Sequence, residues 1–367
     1  MKTKITHLTS AHPRYDTRIF IKECGSLIKV ENYEVYLVVA DGFGDEIHES
    51  VSIYDVGKAE GRMNRMIKTT RQVLQKAIEL DSDVYHLHDP ELIPVGLKLK
   101  RMGKKVIFDA HEDLPKQILA KHYLNTYVKK FLSSFVVKAE IFALRKFDYV
   151  VTATPTIRDK FRRENINVLD VNNYPLLDEL IDITPTFEEN TLCYIGLLYE
   201  TRGIREIIEA IEDLDLTLIV AGKFFDANFE NKMRKLPGWE KVDFRGFVDR
   251  DGIKEILTQS IAGLVTLHPT PSYIEAYPVK MFEYMSAGLP VIASDFPLYQ
   301  TFVTDNDCGL CVDPLNTVVI SHAMQSVISD LSFAKKMGQQ GKKAIKEKYN
   351  WEKEEKKLFK VYTDVLS

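Results

Sequence analysis

Along the first half of the chain, short runs of β-branched and other apolar residues alternate with longer stretches whose apolar positions recur at helical spacing. The strand-like runs are Lys4–Thr9, Glu34–Ala40, Asp83–His88, Lys105–Asp109 and Asp148–Thr154, and amphipathic stretches such as Arg62–Leu80 and Pro90–Met102 lie between them. Buried strands spaced by helices of that length predict βαβ units in a parallel sheet. The rhythm breaks at Val171-Asn172-Asn173-Tyr174-Pro175 and through the acidic, proline-containing stretch to Asn190. It resumes with Thr191–Gly196, Leu216–Ala221, Val242–Phe247, Gly263–His268 and Pro290–Ala293. The pattern predicts two doubly wound α/β domains, residues 1–175 and 176–350, followed by a charged amphipathic helix whose apolar positions are Trp351, Leu358 and Tyr362. Ligands of such sheets bind beyond the carboxyl ends of the strands, so two facing sheets would set a site in the cleft between them.

Composition narrows the class. A chain of 367 residues is too long for one ordinary core and suits two domains. No apolar run approaches the roughly 18 residues of a membrane span. The amino terminus enters a strand pattern with no signal-peptide core, and four cysteines in so long a chain do not form a disulfide framework, so the reading is cytoplasmic. The net charge of −4 hides an asymmetry: residues 1–175 hold 28 Lys and Arg against 23 Asp and Glu, or +5, which leaves −9 for the remainder. A mildly basic first half suits an anionic partner such as a membrane surface or a phosphorylated acceptor, or is simple scatter. The dense basic patch with interleaved aromatics that nucleic-acid binding requires is missing.

Most of the chemical information lies in Glu275-Ala-Tyr-Pro278-Val279-Lys280-Met-Phe-Glu283-Tyr-Met-Ser-Ala-Gly288-Leu-Pro290-Val-Ile-Ala-Ser294-Asp295. A helix is predicted to open near Pro278 and stop at Gly288. Its amino terminus offers unpaired N–H groups and a positive dipole end, a ready place for a diphosphate. Glu283, a little over one turn inside, can accept hydrogen bonds from paired ribose hydroxyls, and Glu275, ahead of the helix, can reach a sugar beyond the phosphates. An isolated pair of glutamates at this spacing would be a loop carboxylate and a solvated helix carboxylate.

The full string resembles the E-x7-E block of retaining glycosyltransferases with the GT-B fold, specifically glycosyltransferase family 4, in wording close to a bacterial surface-polysaccharide branch. Tyr194-Ile195-Gly196 with Arg202-Gly203, then Leu218–Gly222, Val242–Val248, Cys308-Gly309 to Asp313-Pro314 and Tyr349-Asn-Trp351 extend the likeness over most of the carboxyl half. It implies that Gly196, Arg202, Pro278, Val279, Lys280 and Glu283 bind the donor, Arg202 facing its diphosphate. It also implies that the helix over 351–367 crosses back onto the first domain. Where many relatives carry Gly-Arg, this chain has Gly196-Leu197. Lys280, Lys223, Arg205 or backbone N–H groups would have to replace the missing cation.

In the amino half, Ser10-Ala-His12-Pro13-Arg14-Tyr15-Asp16-Thr17-Arg18 follows the first strand and resembles the version in the same branch. His12, Arg14 and Arg18 could hold a phosphate of acceptor or donor; the plainer reading is a polar turn capped by Asp16 or Thr17. His111, in Asp109-Ala-His111-Glu-Asp113, matches a family histidine near the transferred sugar. His86 and His88 share a strand face, but two ligands with no third in register make a poor zinc site, so they are read as cleft lining with no metal. Asp81-Ser-Asp83 precedes a strand and reads as a turn, and Cys308 with Cys311 lacks a second pair. Residues 116–146, rich in lysine and aromatics, are either a membrane-facing surface meeting a lipid-linked acceptor or two helices packed on the sheet.

The resemblance implies transfer of a hexose or N-acetylhexosamine from a nucleoside-diphosphate sugar to an acceptor hydroxyl of a glycan or lipid-linked glycan. The anomeric configuration would be kept, with Glu275 and His111 at the chemistry and neither metal nor other cofactor required. A nucleotide-sugar 2-epimerase and a non-catalytic sugar-nucleotide-binding subunit share the architecture and stand as the alternatives.

Overall fold

A computed structural model of the chain describes residues 2–110, 136–187 and 190–367. The chain divides into two units, Met1–Asn173 with Glu352–Ser367, and Tyr174–Trp351. Within the first, among the described residues, eight strands form one sheet: β1 (Thr3–Leu8), β2 (Tyr33–Val39), β3 (Glu46–His48), β4 (Val51–Asp55), β5 (Val84–Leu87), β6 (Lys105–Ala110), β7 (Tyr149–Thr152) and β8 (Val168–Asp170). Their order is β3-β4-β2-β1-β5-β6-β7-β8, and only the β3–β4 hairpin is antiparallel. The second unit has six parallel strands, β9 (Thr191–Ile195), β10 (Thr217–Ala221), β11 (Val242–Gly246), β12 (Ala262–Val265), β13 (Val291–Ser294) and β14 (Gly309–Val312), in the order β11-β10-β9-β12-β13-β14. These are the two Rossmann-like α/β domains that the rhythm of the sequence predicts.

Parallel strands need crossovers, and crossover helices cover both faces of the sheet. The second unit shows this residue by residue. Leu192, Tyr194, Leu218, Val220, Leu264 and Ile292 enter one core, whereas Cys193, Ile219, Ala221, Val265, Val291 and Ala293 enter the other. Successive side chains point to opposite faces, so a strand buried on both sides reads as an unbroken apolar run. One departure in the first unit matters below: β1 and β5 carry His7 and His86 in register with each other, both wholly buried.

In each sheet a central strand is flanked on one side by its successor and on the other by a later strand, β1 by β2 and β5, β9 by β10 and β12. Such switch points open a crevice at the carboxyl ends. At the second one the backbones come very close. Gly222 adopts φ +151°, and a Cβ there would stand 1.8 Å from the Gly196 carbonyl oxygen, so only glycine fits.

After β1 the chain enters a π-helix, Thr17–Cys24, capped by Asp16, whose side chain accepts from the N–H groups of Arg18 and Ile19. The wider turn is marked by Ile21 N–H bonding the Asp16 carbonyl at 3.2 Å. The periodicity predicted neither this helix type nor β3, β4, β8 and β14, the last four being short strands. The final helix runs Trp351–Leu366 and buries Trp351, Leu358 and Tyr362. His111 and the part of the 116–146 segment up to residue 135 lie outside the described residues. Beyond them, residues 136–144 are helical, with Leu144 buried and Phe142 60% exposed. No helix among the described residues is long and apolar enough to cross a membrane.

Leu358 belongs to the portion of the last helix that packs with the first unit. Leu358→Ala should therefore destabilise that unit by about 2–5 kcal/mol, read as an earlier urea midpoint; an unchanged midpoint would show that the helix is dispensable.

Candidate active site

The helix that carries the central motif runs Val279–Ala287 and ends on Gly288 in the left-handed region at φ +81°. Pro278 stands one position ahead of it, at the cap, and no side chain caps the helix. Its first turn therefore keeps N–H groups that no side chain satisfies, at the positive end of the helix dipole, although Met281 N–H already bonds the Pro278 carbonyl at 2.9 Å.

Lys280 is the unusual group here. Its side chain is buried, and its ammonium finds no hydrogen-bond partner among the described residues. Nζ rests 3.6 Å from the centre of the Tyr194 ring, a cation–π contact. It also lies 3.4 Å from where a Cβ on Gly196 would be. Of the groups that could replace the cation missing at Leu197, Lys280 is therefore the one seated at the glycine turn. Arg205 is engaged instead by Glu209 at 2.8 Å on the helix surface. Burial, followed by repulsion from Arg202, holds the Lys280 pKa well below the usual lysine value, while Glu283 works the other way.

Arg202 is held from two sides. Its guanidinium carbon is 5.2 Å from the ring centres of both Tyr199 and Tyr273, and Nε donates to the Tyr199 hydroxyl at 3.0 Å. The two tyrosine hydroxyls hydrogen-bond each other. None of these contacts is a carboxylate, so the charge of Arg202 stays uncompensated by them. Glu283, by contrast, pairs with Arg250 at 2.9 Å, and Arg250 also binds Glu179 at 2.5 Å. Glu275 sits in the turn over 271–275 that leads toward the helix. Tyr199, Tyr273 and Arg250 escape sequence reasoning, because nothing in their local pattern separates them from surface residues.

The first unit treats its cations differently. Arg14 forks onto Asp41 at 2.7 and 2.8 Å and reaches Glu46 at 2.6 Å and the Gly44 carbonyl at 3.0 Å. Arg18, buried, forks onto Asp109 at 2.8 and 2.9 Å, reaches the Val171 carbonyl at 2.8 Å and lies 3.2 Å from Glu23. The expectation that these two arginines present themselves to a phosphate is corrected by this geometry. Both guanidiniums are saturated by carboxylates and carbonyls, and they brace the loop after β1. His12 remains one-third exposed, 3.4 Å from Asp16 and 3.5 Å from Asp89. The hydrogen bond it donates to the Asp16 carboxylate raises its pKa against the pull of burial.

His86 and His88 do not line an open cleft; both are buried, beside His7 and Glu23. The premise that no third ligand stands in register is also corrected: His7 supplies one from β1. Burial first, and then repulsion from His88, lower the pKa of His7 and of His86. Asp81-Ser-Asp83 is a turn, Asp81 ending a helix at φ +46° and Asp83 accepting from Lys4 N–H at 2.8 Å. Cys308 is buried and donates to the Phe302 carbonyl.

Two predominantly parallel-sheet α/β units of this kind match the GT-B architecture of glycosyltransferases. Residues 179–344 match the model of the family described as Glycosyl transferases group 1, and residues 24–168 match that of Glycosyltransferase Family 4. The chain is a glycosyltransferase of this group 1, family 4-like kind. An uncharacterized glycosyltransferase of Methanocaldococcus jannaschii, MJ1607, is 26% identical over 301 residues, 76% of this chain and 75% of that one. Sucrose-phosphate synthase from Thermosynechococcus elongatus superposes with a TM-score of 0.80 at 16% identity, covering 100% of this chain and 99% of its own. HepE of Anabaena, solved with UDP-glucose, gives 0.74 at 13% identity, covering 98% and 99%.

An anion placed beside Lys280 would raise again the pKa that burial lowers. A diphosphate that binds there should therefore do so with proton uptake at pH values between the ligand-free and ligand-bound pKa, and its affinity should fall as pH rises through that window. Calorimetry in two buffers of different ionisation enthalpy measures it; identical binding heats in both would place Lys280 away from the anion.

Proposed function

We propose that this protein moves a hexose or N-acetylhexosamine from a uridine-diphosphate sugar to a hydroxyl of a glycan or lipid-linked glycan, with retention, in the assembly of a surface polysaccharide. The observation that carries the donor assignment is the buried, unpartnered Lys280 ammonium at the Gly196 turn, next to Arg202 and the open start of the Val279–Ala287 helix. Buried ammonium groups without partners are costly, and such a cost is sustained where a ligand repays it. Three positive features at one spot fit a diphosphate. The uridine base follows the ligand named for HepE, and the acceptor class follows the resemblance of the Glu275–Asp295 string.

In this reading Lys280, Arg202 and the helix start take the departing diphosphate, an electrostatic role that needs no metal at the reacting centre. Glu283, steadied by Arg250, receives the ribose hydroxyls. Glu275 faces the donor sugar and supports positive charge at its anomeric carbon; His111, outside the described residues, is the other residue assigned to the chemistry. On the first unit, His12 is the acceptor-side contact, since Arg14 and Arg18 are occupied. The protein works in the cytoplasm, and the lysine- and aromatic-rich composition of residues 116–146 suits contact with the inner face of the membrane.

Glu275→Ala should leave UDP affinity nearly intact while lowering transfer by roughly two orders of magnitude or more. Glu283→Ala should weaken UDP binding itself. Calorimetry and a transfer assay separate the two, and an active Glu275→Ala enzyme would sink the assignment. A thermal-shift series with UDP, GDP, ADP and their sugars tests the base, because a specific binder raises apparent stability.

A further inference from the structure

Four side chains with metal-ligand chemistry, none used by the proposed transfer, converge inside the first unit. They are His7 on β1, His86 within β5, His88 just past its end, and Glu23 on the π-helix. All four are buried, and one candidate ligand atom from each lies within 4.8 Å of the others. Glu23 Oε2 stands 3.8 Å from His7 Nδ1, 3.8 Å from His86 Nδ1 and 3.9 Å from His88 Nε2. Three imidazole nitrogens thus surround one carboxylate oxygen, and that oxygen accepts no hydrogen bond from the described residues. A buried carboxylate oxygen left this way carries a large desolvation cost.

We infer that His7, Glu23, His86 and His88 form a binding site for a single divalent transition-metal ion, with zinc as the ion that suits the donors. Three nitrogens and one oxygen, all from the protein and all buried, match the closed four-coordinate arrangement of structural zinc rather than a catalytic site with an open position. An ion about 2.0–2.1 Å from each donor needs donors about 3.3–3.4 Å apart. Reaching that draws the imidazoles toward Glu23 Oε2 by about half an ångström, and it parts His7 Nδ1 from His88 Nε2, now hydrogen-bonded at 2.8 Å. The proton shared by those two nitrogens passes to the far nitrogen of the ring that carries it, toward Tyr362 for His7 or Asp109 for His88, so both ligands stay neutral imidazoles as the ion enters.

The surroundings are those of a supported site. His88 turns its other nitrogen, Nδ1, to Asp109 Oδ2 at 3.5 Å, and Asp109 is itself clamped by Arg18. The order carboxylate–imidazole–metal fixes ring orientation and raises ligand basicity. Tyr362, from the last helix, places its hydroxyl 3.2 Å from His7 Nε2 and 2.9 Å from His86 Nδ1. The first contact supports a ligand; the second is given up to the ion. The ion would join β1, β5, the π-helix and, through Tyr362, the last helix.

The test uses the full chain, purified after expression with zinc and, separately, with cobalt. Elemental analysis should find one zinc per chain, and the cobalt form should show the visible bands of a four-coordinate nitrogen and oxygen site. Glu23→Gln with His86→Gln should lose the ion, whereas Cys308→Ser with Cys311→Ser should keep it. Chelation should lower the melting temperature of the wild type and leave that of the Glu23/His86 variant unmoved. A folded wild type with no stoichiometric ion, even after refolding with zinc, overturns the site, as does a folded Glu23/His86 variant that retains the ion. Should that variant not fold, the cobalt spectrum decides, since a thiolate charge-transfer band would assign the ion to cysteine. UDP binding is scored on the same samples and reports on the donor site independently.

Discussion

Parallel strands cannot be joined by hairpins, so every connection between parallel neighbours in these sheets must climb back across one face, and each face is thereby sealed against water. Residues within the strands are then free to be apolar and little else. Chemistry is pushed to the loops beyond the carboxyl ends, and within those to the places where the winding changes direction. The turn at Gly196, the Arg202 loop and the segment from His12 to Arg18 all occupy such positions. Polar side chains inside a strand are exceptions under this constraint, which is why His7 and His86, paired across β1 and β5, stand out so sharply.

The two units dispose of buried charge in opposite ways. In the first, Arg14 and Arg18 are matched by carboxylates within 3 Å, so the charges cancel locally and the loop after β1 is braced. In the second, Lys280 is buried against an aromatic ring and a glycine, and Arg202 is sandwiched by tyrosines, with no carboxylate spent on either contact. Aromatic faces hold a cation in place without cancelling its field. The first arrangement builds a scaffold, and the second keeps an attraction in reserve for an anion.

Much of this was legible in residue order. Long apolar runs marked ten of the fourteen strands, and Pro278 and Gly288 bracketed the central helix to within one residue. Val168–Asp170 and Glu46–His48 were missed because three positions are too few to show a period, and Val51–Asp55 and Gly309–Val312 were missed as well. The arginines after β1 could be listed as cations but not recognised as consumed, since Asp41, Glu46 and Asp109 are distant in sequence. Likewise His86 and His88 announced themselves by spacing alone, whereas His7 and Glu23 join them only through the sheet register and the extra width of a π-helix. Convergence from separate elements leaves no local trace.

The order in which the chain is made acquires a meaning from the last helix. The second unit is one continuous stretch, Tyr174–Trp351, complete as soon as it has emerged. The first is not: its sheet is synthesised early, but Tyr362, which closes over His7 and His86, follows after the entire second unit. During translation the first unit therefore waits with its histidine cluster uncapped while its neighbour folds. The domain begun first is the domain finished last.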